Sequence, residues 1–318
     1  MPKYSFVLPA YKARFFREAL DSILSQTYKD FELIIVNDAS PEDLESIVNS
    51  YDDPRIRYYV NEENIGGKDL VAQWNHCLEY AAGEYIILAS DDDVYHLEYL
   101  EKMNALVEKY PDVNVFRPRV QIIDKNSSIK KRENYLIEKV SQIEFFYSWL
   151  LGIINSGIPY YIFKREALNA LGGFKNYPMA WLSDDATVLL LSQHGVVSST
   201  ETLFSFRQSG YNISSLPVNK ETLNREFNAL KLFYADINPE LQRMVAENGD
   251  EEFYLDVIRK TFCPHLSGRV FYMMLHAPLV TLICNSSQIS KLPWEIHKKF
   301  RIELICKKFF LIIKKIFN

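Results

Sequence analysis

The chain has 318 residues, 48% of them hydrophobic and 24% charged, and a formal net charge of −5. That balance suits a soluble globular enzyme built as one large domain, or one domain with an appendage, and argues against a nucleic-acid binder. Cys77, Cys263, Cys284 and Cys306 lie far apart with no CxxC pair, which speaks for a reducing compartment and against a disulfide framework or zinc site.

In chain order, YSFVL (4–8) reads as a short buried strand, and FREALDSILSQ follows with Leu20, Ile23 and Leu24 on one helical face. FELIIV (31–36) is a second strand. SPED then offers Ser40 as N-cap and Pro41 as first helical residue of a helix through Val48. RIRYYV (55–60) is a third strand, with IGG at 65–67 turning into the helix LVAQWNHCLEYAA, and YIILA (85–89) is a fourth. Continuous apolar strands, each followed by a helix, indicate a parallel sheet covered on both faces, with ligands beyond the carboxyl ends of the strands.

At those ends stand Asp38 and the run Asp91, Asp92, Asp93. Three adjacent like charges after a buried strand are unfavourable unless a cation or a partner group compensates. A solvated acidic turn before a helix is the plain alternative.

Residues 111–210 mix shorter elements: VNVFRPRVQIID ending in a KNSS turn, SGIPYYIFKREAL as a strand entering a helix stopped at Gly172-Gly173, and DDATVLLLSQHG as a helix opening on Asp184 and Asp185. From about 220 the pattern is helical. VFYMMLHAPLVTLIC at 270–284, broken by His276 and Pro278, falls short of the roughly 20 residues of a spanning helix. The N-terminal apolar run is too short for a secretory signal, so a cytoplasmic protein is expected. Residues 291–318 carry eight bases against Glu295 and Glu303, behind an acidic body. The last helix, about 294–317, reads as a wide apolar face with a narrow cationic stripe. It fits either an anionic membrane interface, making the protein peripheral on the inner face of the cell membrane, or packing on the domain.

FVLPAYKARFFREALDSILSQTYKDFELIIVNDAS, NIGG with Asn75 after it, GEYIILASDDD, ALGGF, SDDATVLLLSQHG and FRQSGYNISS, in that order, resemble the inverting family 2 glycosyltransferases over the first 215 or so residues. The resemblance implies an α/β GT-A fold, a Rossmann-like mostly parallel sheet flanked by helices. Residues 1–110 would form the nucleotide-sugar-binding half, 111–215 the acceptor-binding and catalytic half, and 216–318 a helical C-terminal extension with a basic amphipathic tail.

It also implies transfer from a UDP-sugar to a hydroxyl of a glycan or lipid-linked saccharide, with inversion, in cell-surface polysaccharide, lipopolysaccharide or capsule synthesis. Pro9, Ala10 and Tyr11 would cover the nucleobase. Asp38 could accept the imide N–H of uracil. Asn64 and Lys68 flank the glycine turn, with Lys68 toward the diphosphate or the base-ribose end, and Arg207 is available for phosphate. A divalent cation, Mn2+ or Mg2+, would be held by Asp92 with Asp93, and Asp91 would take the ribose or a supporting role. Asp185 aligns with the catalytic base and Asp184 is the alternative, since an inverting transfer needs one base for the acceptor hydroxyl. Trp181, after Tyr177 and Met179, could stack an acceptor sugar, although aromatics before a helix often serve as core anchors.

Two departures stand out. Ser90 fills the family's first aspartate position, and Ser209 stands where many relatives have histidine; His265 is one residue that could compensate. They favour the rival reading, a catalytically impaired nucleotide-sugar-binding scaffold or sensor. A nucleotidyltransferase would want a glycine-rich loop after the first strand, which PAYKARF lacks. A glycosidase would leave the first half of the chain unexplained.

Overall fold

The computed structural model describes residues 1–210 and 220–247. The chain divides into two compact units, with the boundary between Ser215 and Leu216. Seven of the elements of the first unit follow the alternation read from the sequence: β1 (Tyr4–Ala10), α1 (Phe16–Leu24), β2 (Phe31–Asn37), α2 (Leu44–Val48), β3 (Ile56–Val60), α3 (Leu70–Leu78) and β4 (Tyr85–Leu88). After them come β5 (Val94–Tyr95), α4 (Tyr99–Lys109), β6 (Val115–Ile123), β7 (Ile129–Arg132), β8 (Lys139–Val140) and α5 (Gln142–Leu150). The unit closes with β9 (Ile162–Lys164), α6 (Arg165–Ala170), α7 (Ser183–Leu191) and β10 (Val196–Arg207).

One sheet runs β3-β2-β1-β4-β9-β6-β10-β5, with β7 on β6 and β8 on β10. Its long pairings are parallel: β1 matches β2 from Tyr4↔Phe31 to Ala10↔Asn37, and β10 matches β6 through Arg207↔Ile123. The antiparallel pairings are short. Leu33, Ile34, Ile35 and Val36 are all buried, as continuous apolar strands require when both faces are covered. Helix α1 seals one face with Phe16, Ala19, Leu20 and Ile23, the spacing of a single helical stripe.

The second helix corrects its sequence reading. Asn37 Oδ1 takes the Ser40 N–H at 2.8 Å, and Ala39 is left-handed with φ 50°, so the chain is still turning where a helix was expected. Asp43 is the cap, accepting from Ser46 N at 3.0 Å. In the second unit, α8 (Lys220–Glu247) carries Pro239 within it and buries Leu230, Phe233, Ile237 and Leu241 along one stripe. The basic helix at 294–317 and His265 lie outside the described residues. Among those that are described, no helix is long and apolar enough to cross a membrane.

Candidate active site

A cavity of about 530 Å³ opens beyond the carboxyl ends of β1, β2 and β4. Pro9, Ala10 and Tyr11 border it where β1 ends, and Tyr11 is 39% exposed. The backbone N–H groups of Tyr11 and Lys12 both donate to Asp91 Oδ2, at 2.9 and 2.8 Å. Ser40 Oγ donates to the Tyr11 carbonyl at 2.6 Å. The tyrosine loop is therefore pinned from two strands. Asp91 thus braces that loop through its Oδ2.

Asp38 follows β2 and is buried. Its Oδ1 accepts from Asn61 Nδ2 and from Ile65 N, each at 2.8 Å, and its Oδ2 from Gly66 N at 2.8 Å. A Cβ at Gly66 would sit 2.9 Å from that Oδ2, so this turn takes glycine. A carboxylate oxygen offers two acceptor positions, which leaves one on Oδ2 for a ligand N–H. Asn64 Oδ1 accepts from Gly67 N and also borders the cavity. Lys68 does not: its ammonium pairs with Glu63 at 2.6 Å with both side chains well exposed, so this expected phosphate contact is not part of the wall.

Helix α3, capped by Asp69, presents Leu70, Gln73 and Trp74 to the cavity, positions that the sequence reading did not single out. Lys12 was missed as well. The i, i+3, i+4 spacing was the available signal, but such a stripe reads equally well as core. Next on the helix, Asn75 accepts from Phe174 N at 2.8 Å and donates to Phe174 O at 3.0 Å. This contact joins Asn75 to the end of ALGGF across the fold.

The aspartate run has three distinct environments. Asp93 is fully buried; Ser90 Oγ donates to its Oδ2, and Arg207 N donates to its Oδ1 at 2.8 Å. Burial, with the Asp92 charge adding to it, pushes its carboxyl well above the usual range. Asp92 borders the cavity and is pushed up to about 6, first by burial and then by the Asp91 charge, against the pull of Lys12 and Arg207. Burial raises Asp91 too, opposed by the two backbone N–H groups it holds.

Arg207 departs from the expectation of an open phosphate ligand. Its side chain is fully buried, with Nη2 paired to Glu18 at 2.7 Å. Nε donates to the Asp92 carbonyl at 2.7 Å, and Nη1 to Ser127 Oγ at 2.9 Å and Asp124 O at 3.2 Å. The guanidinium stacks on Phe15, 4.3 Å from the ring centre. It holds the acid corner from behind.

From the other half of the unit come Ile158, Pro159, Phe206 and Asp184. Asp184 lines the cavity, while Asp185 is 6% exposed and does not; the Asp185 N–H donates to Asp184 Oδ1 at 2.9 Å. The approach to α7 is contorted, with Met179, Ala180 and Leu182 at φ 63°, 55° and 64°. Left-handed backbone at three non-glycine residues is costly and persists only where the surroundings enforce it. Here Ser183 Oγ accepts from Tyr177 N at 3.1 Å and Asn176 donates to Asp69 at 2.8 Å. Tyr177 is buried and Trp181 is absent from the cavity wall.

Among the described residues no group of three or more His, Cys, Asp or Glu side chains forms a closed cation cage. The available donors are hard carboxylate oxygens. They fit Mg2+ or Mn2+, which keep waters and share substrate phosphates.

Residues 5–172 match the family model described as glycosyl transferase family 2. An uncharacterized glycosyltransferase of Rickettsia typhi is 33% identical over 175 residues, 52% of this chain and 53% of that protein. A Campylobacter jejuni protein named GalNAc(5)-diNAcBac-PP-undecaprenol beta-1,3-glucosyltransferase is 35% identical over 96 residues, 29% of this chain and 30% of that protein. The chain thus spans about half the length, or less, of these relatives. Among solved structures, S. aureus TarS 1–349 in complex with UDP-GlcNAc matches with a TM-score of 0.70 at 18% identity, over 92% of this chain and 82% of that one. At that identity the likeness is one of fold, and the fold is GT-A.

Proposed function

The chain belongs to glycosyl transferase family 2, and from that premise we propose that it transfers a sugar from a UDP-sugar to a hydroxyl of a glycan or lipid-linked saccharide, with inversion. The acceptor belongs to cell-envelope polysaccharide or glycolipid synthesis at the cytoplasmic face of the membrane. The observation that carries this reading is that Asp92 and Asp184, from opposite halves of the sequence, border one cavity together with Tyr11 and Asp38.

Tyr11 covers the base, and the remaining acceptor position of Asp38 takes the uracil imide N–H. Asp92 holds Mg2+ or Mn2+ with Asp91 beside it. Asp93, expected as a second ligand, is in its buried setting a support for Asp92. A bound cation would supply charge neutralisation on the departing diphosphate. The Asp184–Asp185 pair supplies the base that takes the acceptor proton. The resemblance assigns that role to Asp185. The cavity wall favours Asp184, and this specific observation makes Asp184 a second reading.

Ser90 gains a purpose, because its hydroxyl holds Asp93. One of the two departures that favoured a non-catalytic scaffold is therefore a working part of the acid corner. The test is incubation with a panel of UDP-sugars and Mn2+. Release of UDP that vanishes in Asp92→Ala supports a transferase. Binding without turnover across the panel, with acceptor fragments present, supports the scaffold.

A further inference from the structure

The hairpin β6–β7 begins at the acid corner. Its tip is tied there by Arg207 through Asp124 O and Ser127 Oγ. Strand β7 pairs only with β6 among the described residues, and all four of its residues are exposed. Along it and just beyond, Ile129 is 50% exposed, Tyr135 64% and Ile137 67%. Residues 125–139 also carry Lys125, Lys130, Lys131, Arg132 and Lys139. The two acids of that stretch are engaged, Glu133 buried against Arg117 at 2.6 Å and Glu138 paired with Lys109, and among the bases Lys130 pairs with Asp124 at 2.9 Å.

Lysines on an edge strand guard against strand-to-strand aggregation, which would account for the bases alone. It does not account for two isoleucines and a tyrosine in the same nine residues, because these invite the association that the bases discourage. Bases and exposed apolar side chains together, on a body that is otherwise acidic, match a surface offering anionic headgroups over hydrocarbon. A soluble polyanion would use the bases and gain little from isoleucine. The patch extends toward α5: Asn134 Nδ2 donates to Ile153 O at 3.5 Å, bringing the segment near Leu151, itself 47% exposed.

We infer that residues 129–137 form a docking surface for an anionic membrane. It lies in a different stretch of sequence from the basic segment 291–318 and is fixed to the acid corner by the hairpin it belongs to. A membrane seated there would hold the cavity at a set distance from lipid-borne substrate. The inference does not depend on the donor chemistry, so a failed turnover assay and a failed binding assay have separate meanings.

The test uses the full chain with phosphatidylglycerol-containing vesicles, phosphatidylcholine vesicles and soluble polyphosphate. Hydrogen exchange in 129–137 should slow on the anionic vesicles and be unchanged with the other two. Lys131→Gln/Arg132→Gln should weaken sedimentation with anionic vesicles by about fivefold per base removed. Ile129→Ser/Ile137→Ser should weaken it at constant charge. Unchanged exchange in this segment on anionic vesicles would overturn the inference, whether or not another part of the chain binds them. Equal slowing by polyphosphate would overturn it in favour of a soluble polyanion site.

Discussion

Asn75 on α3 and Phe174, 99 residues later, are joined by a pair of hydrogen bonds of 2.8 and 3.0 Å between the asparagine side chain and the phenylalanine backbone. The contact ties the helix that supplies Leu70, Gln73 and Trp74 to the cavity wall to the turn leading toward Asp184. Gly173 makes it possible: its φ is +92°, and a Cβ there would lie 2.5 Å from Asn75 Oδ1. Asn75→Ala would leave both backbone groups of Phe174 without this partner. We expect a loss of about 1–3 kcal/mol, read as a lowered midpoint in urea unfolding at unchanged slope. Gly173→Ala should cost at least as much, because strain and collision add.

The raised carboxyl of Asp92 sets a pH dependence. With a folded-state value near 6 against an ordinary 3.8, the folded protein binds more protons than the unfolded chain between those values. Through this carboxyl, stability therefore falls as pH rises across that window, and the raised carboxyls of Asp91 and Asp93 add to the fall. Cation and nucleotide binding runs the other way, since it needs the ionised carboxylate. Calorimetric UDP affinity with Mn2+ should strengthen from pH 5 to pH 7, with the steepest change near 6. A flat profile would remove Asp92 from the binding site. Asp92→Asn should flatten the affinity profile and reduce the stability trend, leaving the share that Asp91 and Asp93 contribute.

Arg207 positions the acid corner without reaching the cavity. Its backbone N–H holds Asp93 and its Nε holds the Asp92 carbonyl. Arg207→Lys keeps the charge and the backbone bond but cannot reproduce the guanidinium fork. It should weaken Mn2+-dependent UDP binding about tenfold, or 1.4 kcal/mol, and leave the weaker metal-free binding unchanged. Arg207→Ala would also leave buried partners unsatisfied and should lower stability by about 3–5 kcal/mol.

Much of this architecture was legible because apolar runs and turn residues report burial directly. β1, β2 and β4 are mostly apolar, buried runs found where the sequence places them. β3, the edge strand, is found there too, although Arg57 interrupts it and it is only partly covered. β10 was not legible, because SSTET at its centre is polar and breaks the run; the strand is held by register to β6 on either side of that break. Asp38 and Asp92 were legible as acids at strand ends. The burial of Arg207 was not, since its partners Glu18, Asp92 and Asp124 are scattered along the chain and meet only when the sheet forms. Ser40 misled because its hydroxyl closes a turn ahead of the helix, accepting from Glu42 N at 3.0 Å and donating to the Tyr11 carbonyl at 2.6 Å, while the helix starts only after Asp43.

Lys68 makes a control. Sequence position suggested a phosphate contact, yet its side chain pairs with Glu63 on the surface, with side-chain exposures of 70% and 69%. Exposed pairs contribute little. Lys68→Ala should leave UDP affinity within twofold and stability within about 0.5 kcal/mol. A large loss of affinity would mean that the glycine turn closes over the nucleotide on binding and brings the lysine in.

The two residues opening α7 separate by substitution. Asp184 lines the cavity, and the Asp185 N–H donates to it, so Asp184→Asn alters the wall while retaining an oxygen that can accept that bond. If Asp185 is the base, Asp185→Asn should lower transfer by about two to four orders of magnitude with UDP affinity intact, and Asp184→Asn should cost far less. If Asp184 takes the proton, the order reverses. Single-turnover rates at saturating donor distinguish these outcomes from a folding defect, provided both variants keep the wild-type unfolding midpoint. Equal, modest losses in both variants would place the base elsewhere and leave the pair as a cap on the helix N-terminus, where two acids are favoured by the helix dipole.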